Sequence, residues 1–119
     1  MTVMFIVQGE PMSKARPRHG KGRTYTPTAT LIAETAVLAA FLKTPSRRKI
    51  AGDLKVTIQF HCATKVRRDL DNMAKLALDA LNGHAYDDDS QVQHLTVSRT
   101  FVARGQAFTA ITITPLETP

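Results

Sequence analysis

The sequence predicts an α+β fold, with elements in the order strand, helix, strand, helix, strand, strand and the two helices packed on a small four-stranded sheet. Three observations predict it. A short apolar run lies near the start, two stretches repeat apolar residues at helical spacing, and three later stretches have strand character between turn signals. At 119 residues and 43% hydrophobic, the chain suits one domain over 1–119. A domain of that size buries roughly two-thirds of its unfolded surface.

Val3 to Gln8 is apolar, enriched in β-branched residues and closed by Gly9-Glu10-Pro11, so it reads as a strand buried on both faces. Ser13 to Arg23 carries Lys14, Arg16, Arg18, Lys21 and Arg23 with no acid between them. Pro17, Gly20 and Gly22 argue against regular structure there, and the segment is expected to be a flexible arm contacting phosphates, with Tyr25 able to stack on a base. Thr28 to Leu42 places Leu31, Ile32, Leu38, Ala39, Phe41 and Leu42 at helical spacing, with Thr28 or Thr30 as N-cap and Pro45 beyond the end. The face bearing Ala33, Ala36, Val37 and Ala40 is more apolar than one sheet contact requires, so part of it is expected to meet another subunit.

Leu54, Val56, Ile58, Phe60 and Cys62 alternate with Lys55, Thr57, Gln59 and His61, which predicts a strand with one buried face and gives Cys62 and His61 structural roles. Asp71 to Asn82 is predicted helical, with Leu70, Met73, Leu76, Ala77, Ala80 and Leu81 as its buried stripe and Gly83 just past its end. Val92 to Val102 and Phe108 to Thr114 are predicted strands, and Ala103-Arg104-Gly105-Gln106 between them is a hairpin signal.

Charge is unevenly distributed. Six of the ten acids (Asp69, Asp71, Asp79, Asp87, Asp88, Asp89) fall within 21 positions whose one Lys or Arg is Lys75. The remainder has fifteen Lys plus Arg against four acids, a net +11. Such a chain attracts a polyanion as a whole, while its acidic spot attracts divalent cations. Metal-dependent chemistry on nucleic acid is the class these features favour. One cysteine excludes an internal disulfide and any multi-cysteine zinc site, and the four histidines lack ligand spacing, so a metal here would be a hard ion held by oxygen. No apolar run reaches the ~18 residues of a membrane span. The expected location is cytoplasmic, with no membrane partner and no small-molecule organic cofactor.

Asp69 and Asp71 stand where a strand gives way to a helix. Two residues apart on an extended backbone point the same way, whereas inside a helix they diverge, so the junction allows both carboxylates to meet one ion. Asp89 precedes the third strand, and if that strand pairs beside the central one its carboxylate is expected near the same sheet end. Three aspartates would suit Mg²⁺, which keeps several waters for phosphate and nucleophile. Simpler roles compete with this reading: helix capping by Asp69 or Asp71, an acidic turn at Asp87-Asp88-Asp89, and an i,i+4 ladder of Asp71, Lys75 and Asp79. If they held throughout, the chain would be a non-catalytic basic DNA-binding protein.

Arg67-Arg68-Asp69-Leu70-Asp71-Asn72-x-x-Lys75, Asp79-Ala80-Leu81 and Asp88-Asp89-x-Gln91-Val92 resemble the signature of the RusA family of Holliday junction resolvases, and the resemblance extends over almost the whole chain. It implies a compact α+β domain with a mixed sheet, acting as a homodimer that cuts two symmetric strands of four-way junction DNA with Mg²⁺ or Mn²⁺. It also implies metal binding by Asp69, Asp71 and Asp89 and an essential Lys75, these four making up the catalytic set. Asp87 departs from the pattern by making three consecutive acids, which leaves open a share for Asp88 in the role of Asp89. Lys14, Arg16, Arg18, Lys65, Arg67 and Arg68 are the candidate DNA contacts.

Overall fold

A computed structural model describes residues 2–14, 18–20, 23–25 and 28–116, with side chains for all but 18–20 and 23–25. Its elements are β1 (Val3–Gln8), β2 (Arg18–Gly20), β3 (Arg23–Tyr25), α1 (Thr28–Leu42), β4 (Leu54–Cys62), α2 (Leu70–Leu81), a 3₁₀ turn (Asp89–Gln91), β5 (Val92–Phe101) and β6 (Phe108–Pro115). The α+β class holds. β1, β4, β5 and β6 form one mixed sheet in the order β1-β6-β4-β5, and β2 and β3 form a separate antiparallel pair.

Alternating apolar residues build the core on one face of the sheet. Registered neighbours give inner rows of Val3, Ile113, Val56 and Leu95, then of Phe5, Ile111, Ile58 and Val97. Both helices contribute to the core over this face. Phe41 of α1 meets Phe5 edge-on with centroids 5.8 Å apart, and α2 buries Met73, Ala74, Leu76, Ala77, Ala80 and Leu81. Each of the larger side chains, Phe, Leu or Met, stabilises the fold by about 1.5–3 kcal/mol when fully removed from water. Gly83, at φ 83°, turns the chain out of α2 in a conformation that a side chain would strain.

Three expectations are corrected. β1 is an edge strand covered on one face, so Val3, Phe5 and Val7 are buried while Met4 and Ile6 are exposed. β5 and β6 do not form a hairpin: β4 lies between them, parallel to β5 and antiparallel to β6. Ala103–Gln106 is therefore a crossing connection, because a turn signal fixes local reversal but not which strand the chain pairs with next. The basic segment also holds regular structure in its β2/β3 pair, where Gly20 is registered with Arg23. On α1, Val37 faces the core and Ala36 is exposed, whereas the large exposed apolar side chains are Leu31, Ile32 and Leu42. Among the described residues, no helix is long and apolar enough to cross a membrane.

Candidate active site

β4, α2 and β5 form a crossover unit that positions the acids. Because β4 and β5 run parallel, Cys62 pairs with Phe101 at one end of the sheet and Leu54 with Val92 at the other. α2 returns between those ends over twelve residues, about 17 Å of helix. Asp69 and Asp71 open α2, whereas the Asp89 amide donates to the Asn82 side chain, at 3.0 Å, beyond its close. Asp89 thus lies at the opposite sheet end from Asp69, contrary to the expected meeting at one end. Parallel pairing requires this, because a parallel neighbour begins where the central strand begins.

Asp71 and Asp89 nevertheless share a groove, which Asp69 does not line. α2 leaves the inner face of β5 partly open, so Leu95 is 45% exposed. The resulting trough, about 460 Å³, is lined by Leu70, Asp71, Ala74, Lys75, Leu78, Asp79, Asp89, Leu95 and Val97. Asp71, Lys75 and Asp79 fall at i, i+4 and i+8 and so share one helix face. Asp69 is the N-cap residue, exposed and extended, and makes no side-chain capping bond. Asp71 Oδ1 accepts from the Asn72 amide at 3.0 Å. Among the described residues, no three acids, histidines or cysteines stand close enough to hold one metal ion together. The donor set remains suited to Mg²⁺, which needs only one or two carboxylates when water and phosphate complete its shell.

Asp88 and Asp89 separate clearly. Asp88 Oδ2 accepts from the Ser90 amide at 3.1 Å as the cap of the 3₁₀ turn, and these Ser90 contacts hold its carboxyl below its ordinary value. Gln91 closes the turn by accepting from the Asp87 and Asp88 amides and donating to Ile50 and Gly52 carbonyls. Asp87 pairs with Lys49 at 2.7 Å. Of the three consecutive acids, Asp89 alone lines the trough. Buried Tyr86 ties this turn to α2 by donating to the Leu78 carbonyl at 2.7 Å, and burial pushes its phenol well up.

Lys75 is 61% exposed at the side chain and stands 3.7 Å from Asp79. The closer partner of Asp79 is Lys14, at 2.6 Å, and Lys14 also reaches Glu34 at 3.5 Å. Partial burial works against the Lys14 charge, but the hydrogen bond and charge of Asp79, with Glu34, raise its pKa overall. The Lys14 amide also donates to the Asn72 carbonyl at 3.1 Å. Lys14 therefore braces α2, with its charge met by Asp79 and Glu34.

Arg68, also among the expected DNA contacts, is engaged within the fold. Its side chain is 7% exposed, and its guanidinium donates to Glu10 at 2.9 Å and to the Pro11, Thr64 and Val66 carbonyls. A guanidinium has five donors in a planar fork, and this loop surrounds it with acceptors. Glu10 is partly buried, which opposes ionisation. The Ala63 amide, the Arg68 guanidinium and the Thr64 amide and hydroxyl outweigh that and hold its carboxyl at about 2. Lys65 and Arg67 stay exposed beside the site, with Lys65 Nζ 5.8 Å from the Phe101 ring centroid. Arg16 and the Arg18 side chain lie outside the described residues, as does the side chain of Tyr25.

Two contributors gave little sequence signal. Glu10 reads as part of a strand-ending turn, and Arg99 as one more polar residue in a strand. Yet Arg99 Nη1 donates to the Arg68 carbonyl at 2.7 Å, just before Asp69. Cys62 is buried, and His61 stacks on Phe108 at 4.1 Å, in line with structural roles.

Oxygen donors and an ammonium group along one open groove, with exposed cations on the adjoining loop, can hold a divalent ion against a phosphodiester and stabilise the charge that develops on cleavage. Comparison with known proteins supplies the class. Residues 8–114 match the family described as Endodeoxyribonuclease RusA. The chain is 32% identical over 113 residues to a crossover junction endodeoxyribonuclease RusA of Shigella sonnei (strain Ss046), covering 87% of this chain and 88% of that protein. The protein of the same name in Escherichia coli (strain K12) is 31% identical over the same coverage, and that of Escherichia coli O139:H28 (strain E24377A / ETEC) is 30% identical over 93% of this chain and 94% of the relative. The chain belongs to the RusA endodeoxyribonuclease family.

Proposed function

We propose that this chain is a Mg²⁺-dependent, structure-selective endodeoxyribonuclease that resolves four-way DNA junctions as a homodimer in the cytoplasm. The observation that carries the site assignment is the solvent-open trough in which Asp71, Lys75 and Asp89 share one lining. Asp69, Asp71 and Asp89 are the candidate oxygen ligands, with one or two of them reaching an ion at a time and water or substrate phosphate filling its other positions. Mn²⁺ satisfies the same donors. Bound there, the ion supplies charge neutralisation at the scissile phosphate and an activated water.

Lys75, exposed on the trough, aims its ammonium at charge that develops on the phosphate oxygens. Asp79, already neutralised by Lys14, keeps the Lys75 stem near the groove without holding its charge closely. Lys65 and Arg67 contact flanking phosphates, which fix register and carry no sequence information. Two symmetric strands require two sites in matching orientation, which a two-fold dimer provides. The alternative of a non-catalytic DNA-binding protein loses support at Asp69, whose carboxylate makes no capping bond.

The deciding assay incubates the protein with a synthetic four-way junction, with Mg²⁺ or with chelator. Paired, symmetric nicks only in Mg²⁺ support the reading. Equal junction binding in both conditions with no cleavage in either would establish the non-catalytic one.

A further inference from the structure

We infer that Glu10 is a positioning residue for Asp69 and Asp71: with Arg68 it forms a clasp that fixes the loop between β4 and α2, and so sets where those two aspartates present their carboxylates. The inference rests on the reading of those aspartates as metal ligands. Residues 63–69 lack regular structure, and nothing in their sequence dictates a unique path. Their path is set instead by two side chains that meet inside the loop.

The Glu10 carboxylate accepts from the Ala63 amide at 3.0 Å, the Thr64 amide at 3.1 Å and the Thr64 hydroxyl at 3.0 Å, besides Arg68. It pins the start of the loop. Arg68 fixes the end, since its guanidinium reaches back to the Thr64 carbonyl at 2.8 Å and across to the Pro11 carbonyl at 2.7 Å, while Arg99 holds its own carbonyl. The next residue is Asp69, whose carbonyl accepts the Met73 amide in the first turn of α2. Little freedom remains between the clasp and the ligands. Neither Glu10 nor Arg68 lines the trough, so both act on the site through the backbone.

Groups that orient metal ligands from behind typically change metal affinity about ten- to a hundredfold when altered. Glu10→Gln, checked for folding by thermal melting, is expected to raise the half-saturating Mg²⁺ concentration for junction cleavage by that factor. Turnover at saturating Mg²⁺ should fall less, and junction affinity in chelator should match wild type. In metal-free protein, amide hydrogen exchange over residues 69–73 should quicken relative to the rest of α2. Should that variant fail to fold, Thr64→Val, which removes one hydroxyl from the clasp, takes its place with the same expected direction. Folded variants with wild-type Mg²⁺ curves would overturn the inference. So would a folded Glu10→Gln protein whose amide exchange over residues 69–73 matches wild type. Wild-type protein that cleaves nothing would instead defeat the nuclease reading, and the exchange experiment would still decide whether the clasp holds the turn.

Discussion

Asp71 has no ion-pair partner among the described residues and faces the trough, so its charge is available to a cation. Asp71→Asn should abolish Mg²⁺-dependent cleavage while junction binding stays equal or tightens, because no basic contact is lost; gel-shift and cleavage assays on the same preparation separate the two. Lys75→Ala should slow cleavage by about 10²–10³, the usual effect of removing one electrostatic stabiliser. Its exposed, distant pairing with Asp79 means that stability should change by less than ~0.5 kcal/mol. A variant that loses stability and keeps its rate would make Lys75 a surface strut. Glu10 gives a pH signature. Its folded carboxyl sits at about 2, below its ordinary value, so it adds stability that is present above the ordinary value and lost as pH falls toward 2. Urea denaturation across pH 5 to 2 should show a shallower acid loss for Glu10→Gln than for wild type.

Within elements, periodicity was readable and connection was not. The stripe of α2 and the alternation of β4 appear in the structure nearly residue for residue, because a helix or strand buried on one face writes its period into the sequence. The pairing of β5 with β4 left no such mark, and with it went the location of Asp89 relative to Asp69. Candidate residues can be singled out in the sequence, but the separation of Asp89 from Asp69 depends on strand order, a non-local property. The ion pairs of Lys14 and Arg68 are illegible for a related reason: composition shows a basic segment, while the acid that each charge meets is distant in sequence, Asp79 and Glu34 in one case and Glu10 in the other. The prediction for the basic arm changes accordingly. Replacing Arg16 and Arg18 together by Ala should flatten the log–log salt dependence of junction binding by up to about 1.8, at ~0.9 per phosphate contact. Lys14→Ala should leave that slope unchanged and cost about 1–2 kcal/mol of stability, as a charged hydrogen bond is lost. Salt titrations of the two variants, with melts of each, distinguish these outcomes.

For the whole molecule, symmetry of the substrate sets the expected assembly. A homodimer at micromolar concentration should appear by light scattering, and an active monomer would break the link between two sites and two cuts. The strand order carries one more consequence. β6, the last strand in sequence, lies inside the sheet between β1 and β4. Until residues 108–115 have left the ribosome, β1 has no neighbour and β4 exposes a long unpaired edge, a template for misassembly with other nascent chains. The sheet is thus completed by insertion rather than by growth from one side, and a polypeptide stopped at Ala107 should aggregate rather than keep partial activity.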